Sequence, residues 1–133
     1  MSKLKEQLAA GTFAVTAEIA PPKGVDTEEA VAKAEAMRDL AAVNVTDNQG
    51  ANMRMAPLAL ASMLQQKGIE PVLQLTCRDR NRLALQGDLL GAAALGIENL
   101  LIVSGDHARF GDHPHARAVF DLDSVQLLQT IDT

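Results

Sequence analysis

Residues 67–76 (KGIEPVLQLT) and 95–103 (LGIENLLIV) are two versions of one pattern, 28 residues apart. In each, a glycine suited to end a helix precedes an apolar run of strand length. Strand-like runs begin near residues 13, 43, 71 and 100, so the repeating unit is close to 29 residues. The alternation of strands and helices predicts a parallel sheet with crossover helices.

Local signals give the approximate bounds of these elements. Asp26 and Thr27 suit a helix N-cap, Pro57 suits a first helical turn, and Asn81 suits another N-cap. Apolar spacing extends the first helix as far as Ala41. We therefore predict strands at residues 12–19, 43–46, 71–76 and 100–103, and helices beginning near residues 27, 57, 82 and 124.

The repeat favours one α/β architecture over another. Eight units of about 29 residues give roughly the 250 residues typical of a (β/α)₈ TIM barrel, and this chain holds four. A doubly wound sheet usually has a glycine-rich phosphate turn after its first strand, whereas residues 19–24 read IAPPKG. We therefore predict a half barrel in which residues 1–133 form a single domain. Because residues 130–133 lie inside a helical pattern, we expect the N-terminal half of a longer barrel.

Composition excludes several classes of protein. The chain has 133 residues, 47% of them hydrophobic, and a net charge of −5. The apolar fraction argues against disorder, and the acidic balance argues against a nucleic-acid-coating protein. No apolar run reaches the roughly 18 residues of a membrane span, and a signal peptide is not evident, so we expect a cytoplasmic protein. Cys77 is the single cysteine, which excludes an internal disulfide.

Polar side chains recur where the predicted strands end. Because active sites of (β/α)₈ enzymes lie at the carboxyl ends of the strands, their convergence predicts a site, although any one of them alone would more simply be a solvated strand end. The residues concerned are Glu18, Asn44, Thr46, Gln74, Thr76, Ser104 and Asp106.

Glu18 is the sharpest individual candidate. On an inward strand face among apolar neighbours, its carboxyl group would have a raised pKa and could act as a general acid. The alternative is an ion pair with Lys23 or Arg54. Asp106 is a second carboxylate that could share acid–base work with Glu18.

Two further segments have competing interpretations. Residues 78–82 (RDRNR) could hold an anion at a helix N-terminus, but a solvated, salt-bridged turn is the more common use of such a run. Residues 106–115 contain all three histidines. This spacing is weak evidence for a metal, and we expect no metal site there but a mobile lid or a ligand-contacting loop.

Five segments resemble methylenetetrahydrofolate reductases in order and spacing, and the DNQ and SGDH variants look most like the branch found in anaerobic bacteria. They are residues 18–23 (EIAPPK), 45–49 (VTDNQ), 75–81 (LTCRDRN), 96–101 (GIENLL) and 104–106 (SGD). The resemblance implies a TIM barrel that binds FAD non-covalently and reduces 5,10-methylenetetrahydrofolate to 5-methyltetrahydrofolate.

The resemblance also implies residue roles. Glu18 matches the general acid that helps open the five-membered ring of the folate, and Asp106 matches an aspartate between folate and flavin. Gln74 stands where many members have a flavin-contacting histidine. Ser104 stands where they have an arginine, for which Arg78 or Arg109 could compensate. The expected cofactor-binding residues are Thr46, Asp47, Gln74, Ser104, Gly105, Asp106 and Asp121.

The implied partners are the folate substrate and an electron donor, either NAD(P)H or an iron–sulfur partner subunit, in methionine supply or an acetyl-CoA pathway. A half barrel leaves sheet edges open, so we also expect an oligomer. Two alternatives remain: a non-catalytic half barrel that needs a partner chain, and a pterin-binding methyltransferase barrel without flavin.

Overall fold

A computed structural model of the protein describes residues 1–132. It is an α/β structure in which strands and helices alternate along the chain. The strands are β1 (Thr16–Ile19), β2 (Ala42–Val45), β3 (Pro71–Thr76) and β4 (Asn99–Val103). The helices are α1 (Lys3–Ala9), α2 (Glu28–Ala36), α3 (Pro57–Gln66), α4 (Arg82–Ala94) and α5 (Ser124–Asp132).

The four strands form one parallel sheet in the order β1-β2-β3-β4. Sequential parallel strands need crossover connections, and crossovers of one hand place every helix on the same face. The predicted four-unit parallel α/β architecture is therefore confirmed for residues 1–132.

One face of the sheet and the helices enclose a single apolar core. Val43 and Val45 of β2, together with Leu73 and Leu75 of β3, lie in this core. The helices contribute Ala30, Ala34, Leu60, Leu64, Leu85, Ala92 and Leu127. The alternate residues of the strands, which point to the opposite face, do not belong to this cluster.

The opposite face, which we call the open face, has a row of paired residues near its middle. Glu18 lies opposite Asn44, Asn44 opposite Val72, and Val72 opposite Asn99. Leu101 of β4 faces the same way and is 41% exposed. The open face therefore presents mixed polar and apolar side chains without a helix layer of its own.

The first strand is shorter than predicted. It begins at Thr16 rather than at residue 12, and Phe13 is 89% exposed. The expected apolar face of this strand is buried only at Ile19, because β1 lies at the sheet edge and has a neighbouring strand on one side only. Helix α2 also stops earlier than predicted, at Ala36, and Ala41 lies in the connection to β2.

Helix α1 was not predicted from sequence and lies at the amino ends of the strands. Ser2 caps it, accepting a hydrogen bond from the backbone N–H of Lys5 at 3.2 Å. The carboxylate of Glu70 accepts the N–H groups of Lys3 and Leu4 at 2.7 and 3.0 Å. These contacts join residues more than 60 positions apart, so only the folded chain reveals them.

No helix within residues 1–132 has the length and apolar character needed to cross a bilayer.

Shortening a leucine side chain to alanine should change the free energy of unfolding differently on the two faces of the sheet. Leu75→Ala removes a buried side chain and should lower the free energy of unfolding by about 2–5 kcal/mol. Leu101→Ala removes a half-exposed side chain from the open face and should lower it by less than about 1 kcal/mol. Urea denaturation of both variants measures the difference. Equal losses would contradict the assignment of the core to the helix side.

Candidate functional site

The loops that follow the four strands meet at the carboxyl edge of the sheet. The predicted site residues lie there, on neighbouring elements, as parallel strand polarity requires. Glu18, however, lies in β1, whereas Asp106 lies three residues after β4, and these are the two outermost strands of the described sheet. Three interstrand spacings separate those strands within one chain, or about 14 Å. The two carboxylates therefore do not form a directly contacting pair.

Glu18 lies on the open face as predicted, but its side chain is exposed rather than enclosed by apolar neighbours. The alternative ion pairs do not form either, because Lys23 binds Asp112 at 3.0 Å and Arg54 donates to the carbonyl oxygen of Pro21 at 3.0 Å. Glu18 borders a cleft of about 430 Å³ lined also by Pro22, Lys33 and Arg54. Its carboxylate is thus accessible to a ligand.

Thr46 carries a buried hydroxyl group that has no hydrogen-bond partner among the described residues. The backbone N–H of Thr46 donates to the carbonyl oxygen of Ile19 at 3.1 Å, which fixes the residue at the carboxyl end of β2. Leaving such a group unpaired costs about 1–3 kcal/mol, so native structures rarely leave one without a role. The hydroxyl of Thr46 thus has unused hydrogen-bonding capacity at the carboxyl end of β2.

Asp47 is buried and its carboxylate is fully used inside the protein. It accepts the backbone N–H of Thr76 at 2.9 Å and the Nη1 of Arg80 at 2.6 Å. Arg80 also bonds Asp88 of α4 at 3.1 Å. Burial opposes the charge of Arg80, but the bonds to these carboxylates outweigh it and raise the pKa of Arg80. Asp47 thus ties the loop after β2 to β3 and α4.

Arg78 is the buried member of the arginine-rich turn, only 3% exposed. It forms a two-point ion pair with Asp79 at 2.8 Å for both bonds. It also donates to the carbonyl oxygens of Asn48 and Asp106 at 3.2 and 3.0 Å. The turn at residues 78–82 is therefore salt-bridged, as we expected for a run of charged residues, but Arg78 is buried rather than solvated.

Asp79 receives enough hydrogen bonds to remain charged. Burial alone would raise the pKa of its carboxyl group, but the bonds from Arg78 and Asn48 outweigh burial and lower this pKa. Arg78 is consequently neutralised internally, and its guanidinium is unsuited to compensate for an arginine missing at position 104. Arg109, the other candidate for compensation, is exposed.

Gly105 lies where only a glycine fits. Its φ angle is +89°, and a Cβ atom built on it would lie 2.2 Å from the Oγ1 of Thr76. That Oγ1 donates to the carbonyl oxygen of Ser104 at 3.0 Å. The backbone here is thus bare and closely packed on β3, while the side chain of the following residue, Asp106, is exposed.

Ser104 differs from its expected placement. We predicted that its side chain shares a face with Asp106 beside the ligand, but its Oγ accepts the N–H of Ser124 at 3.1 Å. Ser104 therefore points toward the helix layer and caps the start of α5. The cause is the alternation of β4: Ile102 packs against the core on the helix side, and Ser104, two residues later, lies on the same side. Gln74 is half-buried and lies opposite Leu101 on the open face, as predicted.

Asp121 is held by a single arginine. Its carboxylate accepts the N–H, Nε and Nη2 of Arg82 at 2.9, 2.8 and 3.1 Å. These bonds lower the pKa of Asp121 to about 2. The residue thereby fixes the segment before α5 to the first turn of α4.

Asp112 was missed by sequence reasoning and connects three loops. Its carboxylate accepts the N–H of Met53 at 2.9 Å, the Nζ of Lys23 at 3.0 Å and the Nδ1 of His113 at 2.8 Å. These bonds hold the pKa of Asp112 well below its usual range, with the Met53 N–H the largest cause. Lys23, Met53 and Asp112 follow β1, β2 and β4 respectively, and no local pattern links positions so far apart.

The histidine-containing segment is therefore attached at several points. A short 3₁₀ helix at Ala108–Phe110 precedes Gly111, where a Cβ atom would meet the carbonyl oxygen of Ala51 at 1.8 Å. Within residues 1–132, no group of three His, Cys, Asp or Glu side chains is arranged to hold a metal ion.

Cys77, the single cysteine, is buried. Its burial is the main cause that raises the pKa of its thiol, and the negative charge of Asp123 raises this pKa further.

Comparison with known families agrees with this arrangement. The family model described as methylenetetrahydrofolate reductase matches residues 3–132. The chain belongs to the methylenetetrahydrofolate reductase family. The matched region includes all four strands and every residue of the candidate site, so the resemblance of five short segments extends over the whole described fold. A search of curated proteins found no significant match.

In this member of the methylenetetrahydrofolate reductase family, a substitution at Gly105 tests how closely the backbone packs at the candidate site. Gly105→Ala should lower the free energy of unfolding by about 1–3 kcal/mol, because it combines a positive φ with a close contact. Gly87→Ala in α4 is the matched control. A Cβ atom there meets nothing within 4 Å, so that change should stabilise the chain by about 0.5–1 kcal/mol. Thermal or urea unfolding measures the stability of both variants. A Gly105→Ala variant as stable as the unchanged protein would contradict the described packing.

The Asp121–Arg82 contact predicts an acid-side stability change. Folding lowers the pKa of Asp121, so its contribution is present above about pH 4 and is lost as the pH falls through about 2. Asp121→Asn should reduce stability at neutral pH and flatten this part of the pH profile. Asp132→Asn, in the last turn of α5, is the control. Parallel pH profiles for the protein and Asp121→Asn would refute the assigned contact.

Proposed function

We propose that the chain forms the first half of a (β/α)₈ barrel that reduces 5,10-methylenetetrahydrofolate to 5-methyltetrahydrofolate with FAD as cofactor. The family match over residues 3–132 carries this proposal. The sheet supports it because its sequential parallel order and one-sided helix layer are the geometry of consecutive barrel units. The other four units would come from a further polypeptide segment.

Two features of the carboxyl edge fit a flavin. The buried hydroxyl of Thr46 lacks a partner, and flavin rings and their phosphate chain carry many hydrogen-bonding atoms. Gly105 is exposed at this edge, so its backbone amide and carbonyl groups are accessible to a ligand. FAD, when bound in its reduced form, supplies the hydride.

The remaining cofactor residues act in two ways in this proposal. Thr46, Gln74 and the backbone of Gly105 contact the flavin. Asp47, Ser104 and Asp121 belong to the same cofactor site but support it through their internal bonds to Arg80, Ser124 and Arg82. These bonds fix the loops after β2 and β4.

Glu18 and Asp106 have different roles in the reduction of the folate: one donates a proton and the other stabilises a positive charge. Glu18, accessible beside its cleft, donates a proton as the five-membered ring opens and leaves a 5-iminium cation. The carboxylate of Asp106 stabilises this positive charge while hydride arrives. The proton from Glu18 remains on the nitrogen released by ring opening, and hydride addition to the iminium carbon gives the 5-methyl product, so no further proton is needed.

The electron donor in this proposal is either NAD(P)H or an iron–sulfur partner subunit, and the reaction belongs to cytoplasmic one-carbon metabolism. Substitution of the usual arginine by Ser104 favours a donor arrangement like that of the anaerobe-type branch. The product serves methionine supply or an acetyl-CoA pathway.

The purified chain is mixed with FAD and separated from unbound FAD, and its visible spectrum then shows whether it binds the cofactor. Flavin bound near a 1:1 ratio supports the reductase. A colourless protein that binds folate supports a pterin-binding methyltransferase, and a protein that binds neither supports a non-catalytic half barrel.

Thr46→Val tests the unpaired hydroxyl. The change removes a buried polar atom but keeps the side-chain shape, so the stability of the ligand-free chain should stay equal or rise. Loss of one hydrogen bond of about 0.5–1.5 kcal/mol should weaken FAD binding about two- to tenfold. Flavin fluorescence titration and urea denaturation measure the two effects. Thr12→Val, at an exposed position, is the control and should change neither. Unchanged FAD affinity for Thr46→Val would remove Thr46 from the cofactor site.

Glu18→Gln tests the acid. An amide cannot donate the proton, so folate reduction should fall by about 10²-fold or more while reduction of the flavin by its donor continues. Glu98→Gln, at the amino end of β4, is the control and should retain both rates. Separate stopped-flow measurements of the two half-reactions are required. Folate reduction by Glu18→Gln at the normal rate would show that Glu18 is not the acid.

A further inference from the structure

The chain segment after β4 crosses the carboxyl edge of the sheet and reaches the loop after β1. These two strands end at Val103 and Ile19 and are the outermost strands of the described sheet, about 14 Å apart. The carboxylate of Asp112 nevertheless binds the Nζ of Lys23 at 3.0 Å. Residues 106–113, which we call the bridging segment, therefore extend over the ends of β3 and β2.

The bridging segment is held at its beginning and near its end. The Nη1 of Arg78, which is buried, donates to the carbonyl oxygen of Asp106 at 3.0 Å. Gly111 packs so closely on the loop after β2 that a Cβ atom there would overlap the carbonyl oxygen of Ala51. Arg78 follows β3 and Ala51 follows β2, so these contacts mark the path of the segment along the sheet edge.

The loop after β2 supports both partners of the Lys23–Asp112 ion pair. The backbone N–H of Met53 donates to the carboxylate of Asp112 at 2.9 Å. The backbone N–H of Met55 donates to the carbonyl oxygen of Pro22, the residue before Lys23, at 2.8 Å. Because these bonds already fix the groups that meet, the ion pair costs less conformational freedom than one between two unrestrained surface residues.

The carboxylate of Asp106 is exposed, and no other residue within 1–132 bonds to it. Its location is therefore set by the backbone that carries it. The bond from Arg78 fixes one atom of that backbone, about which the bridging segment could still turn. The contacts at Gly111 and Asp112 remove this freedom, because they hold the segment at a second place.

We propose that Lys23 and Asp112 are positioning residues: their ion pair, supported by the Met53 N–H, fixes the bridging segment and thereby places the carboxylate of Asp106. The attachment itself is independent of the proposed function, whereas the effect on the reaction through Asp106 rests on it. Lys23 supplies one charge, while Asp112 supplies the opposite charge and also the acceptor for Met53. Loss of Asp112 therefore has the larger effect.

Amide hydrogen exchange, followed by NMR on the ligand-free chain, tests the attachment. Within the bridging segment, the N–H groups of Phe110 and Gly111 each donate to the carbonyl oxygen three residues earlier. Asp112→Ala should speed exchange of these two amides at least tenfold, and Lys23→Met should do so by a smaller factor. Amides of β3 should exchange at the unchanged rate, which shows that the variants remain folded.

Two further variants serve as controls for the exchange measurement. Lys23→Arg keeps the positive charge and should hold both exchange rates within twofold of the unchanged chain. Lys67→Met removes another exposed, ion-paired lysine, at the amino edge of the sheet, and should leave the bridging segment unaffected. Unchanged exchange of both amides in Asp112→Ala would overturn the proposal.

The midpoint potential of bound FAD tests whether the attachment acts through Asp106. A negative charge beside a flavin lowers its reduction potential, so Asp106→Asn should raise this potential. Asp112→Ala should raise it too, by displacing the carboxylate, yet should add little in a chain that already carries Asp106→Asn. Equal shifts in both backgrounds would show that Asp112 acts independently of Asp106, and the proposal would then be wrong.

The two measurements separate failure of this proposal from failure of the proposed function. A chain that binds no FAD would refute the proposed function and, with it, the role of Asp106. Hydrogen exchange would still decide whether the Lys23–Asp112 ion pair fixes the bridging segment, because that measurement uses no ligand.

Discussion

Sequential parallel strand order is the constraint on which the rest of the structure depends. Each strand lies beside the one that precedes it, so each crossover must return along the same face of the sheet. All apolar helix surface therefore gathers on that face, and the open face is left to polar and partly exposed residues. The same order sends every strand in one direction, so the loops that carry the candidate site meet along a single edge.

Charged residues at this edge act mainly as structural ties. Arg78, Arg80 and Arg82 each bind an aspartate, and two of these bonds connect different strand–helix units. In a solvated surface run these arginines would point into water, whereas here aspartates within the protein largely neutralise their positive charges. Among the groups that remain for a ligand are the exposed carboxylates of Glu18 and Asp106 and the exposed backbone of Gly105, and the buried hydroxyl of Thr46 remains unpaired. The candidate site is thus small and is held by a larger polar frame.

Periodicity in the sequence was sufficient to predict the four units, because strands β2, β3 and β4 and the helices between them follow local apolar patterns and clear capping residues. It was insufficient at the edges. Phe13 has the alternation of a strand, but no neighbour covers it, and α1 depends on the distant carboxylate of Glu70. The convergence at one edge of the loops that carry the candidate site could be predicted from strand polarity. The orientation of Ser104 and the tie at Asp112 could not, since both arise from contacts made only after the loops fold together.

Asp112 has one more consequence, for how this edge can change during evolution. A single carboxylate serves an amine on the first loop and an amide on the second, so substitutions at positions 23 and 112 are not independent. Replacing Lys23 by an acid would place two negative charges together, whereas exchanging the lysine and the aspartate would keep the ion pair but lose the acceptor for Met53. Sequence variation is therefore expected to favour retention of the acid over a charge exchange, and insertions in any of the three loops must preserve a common meeting point.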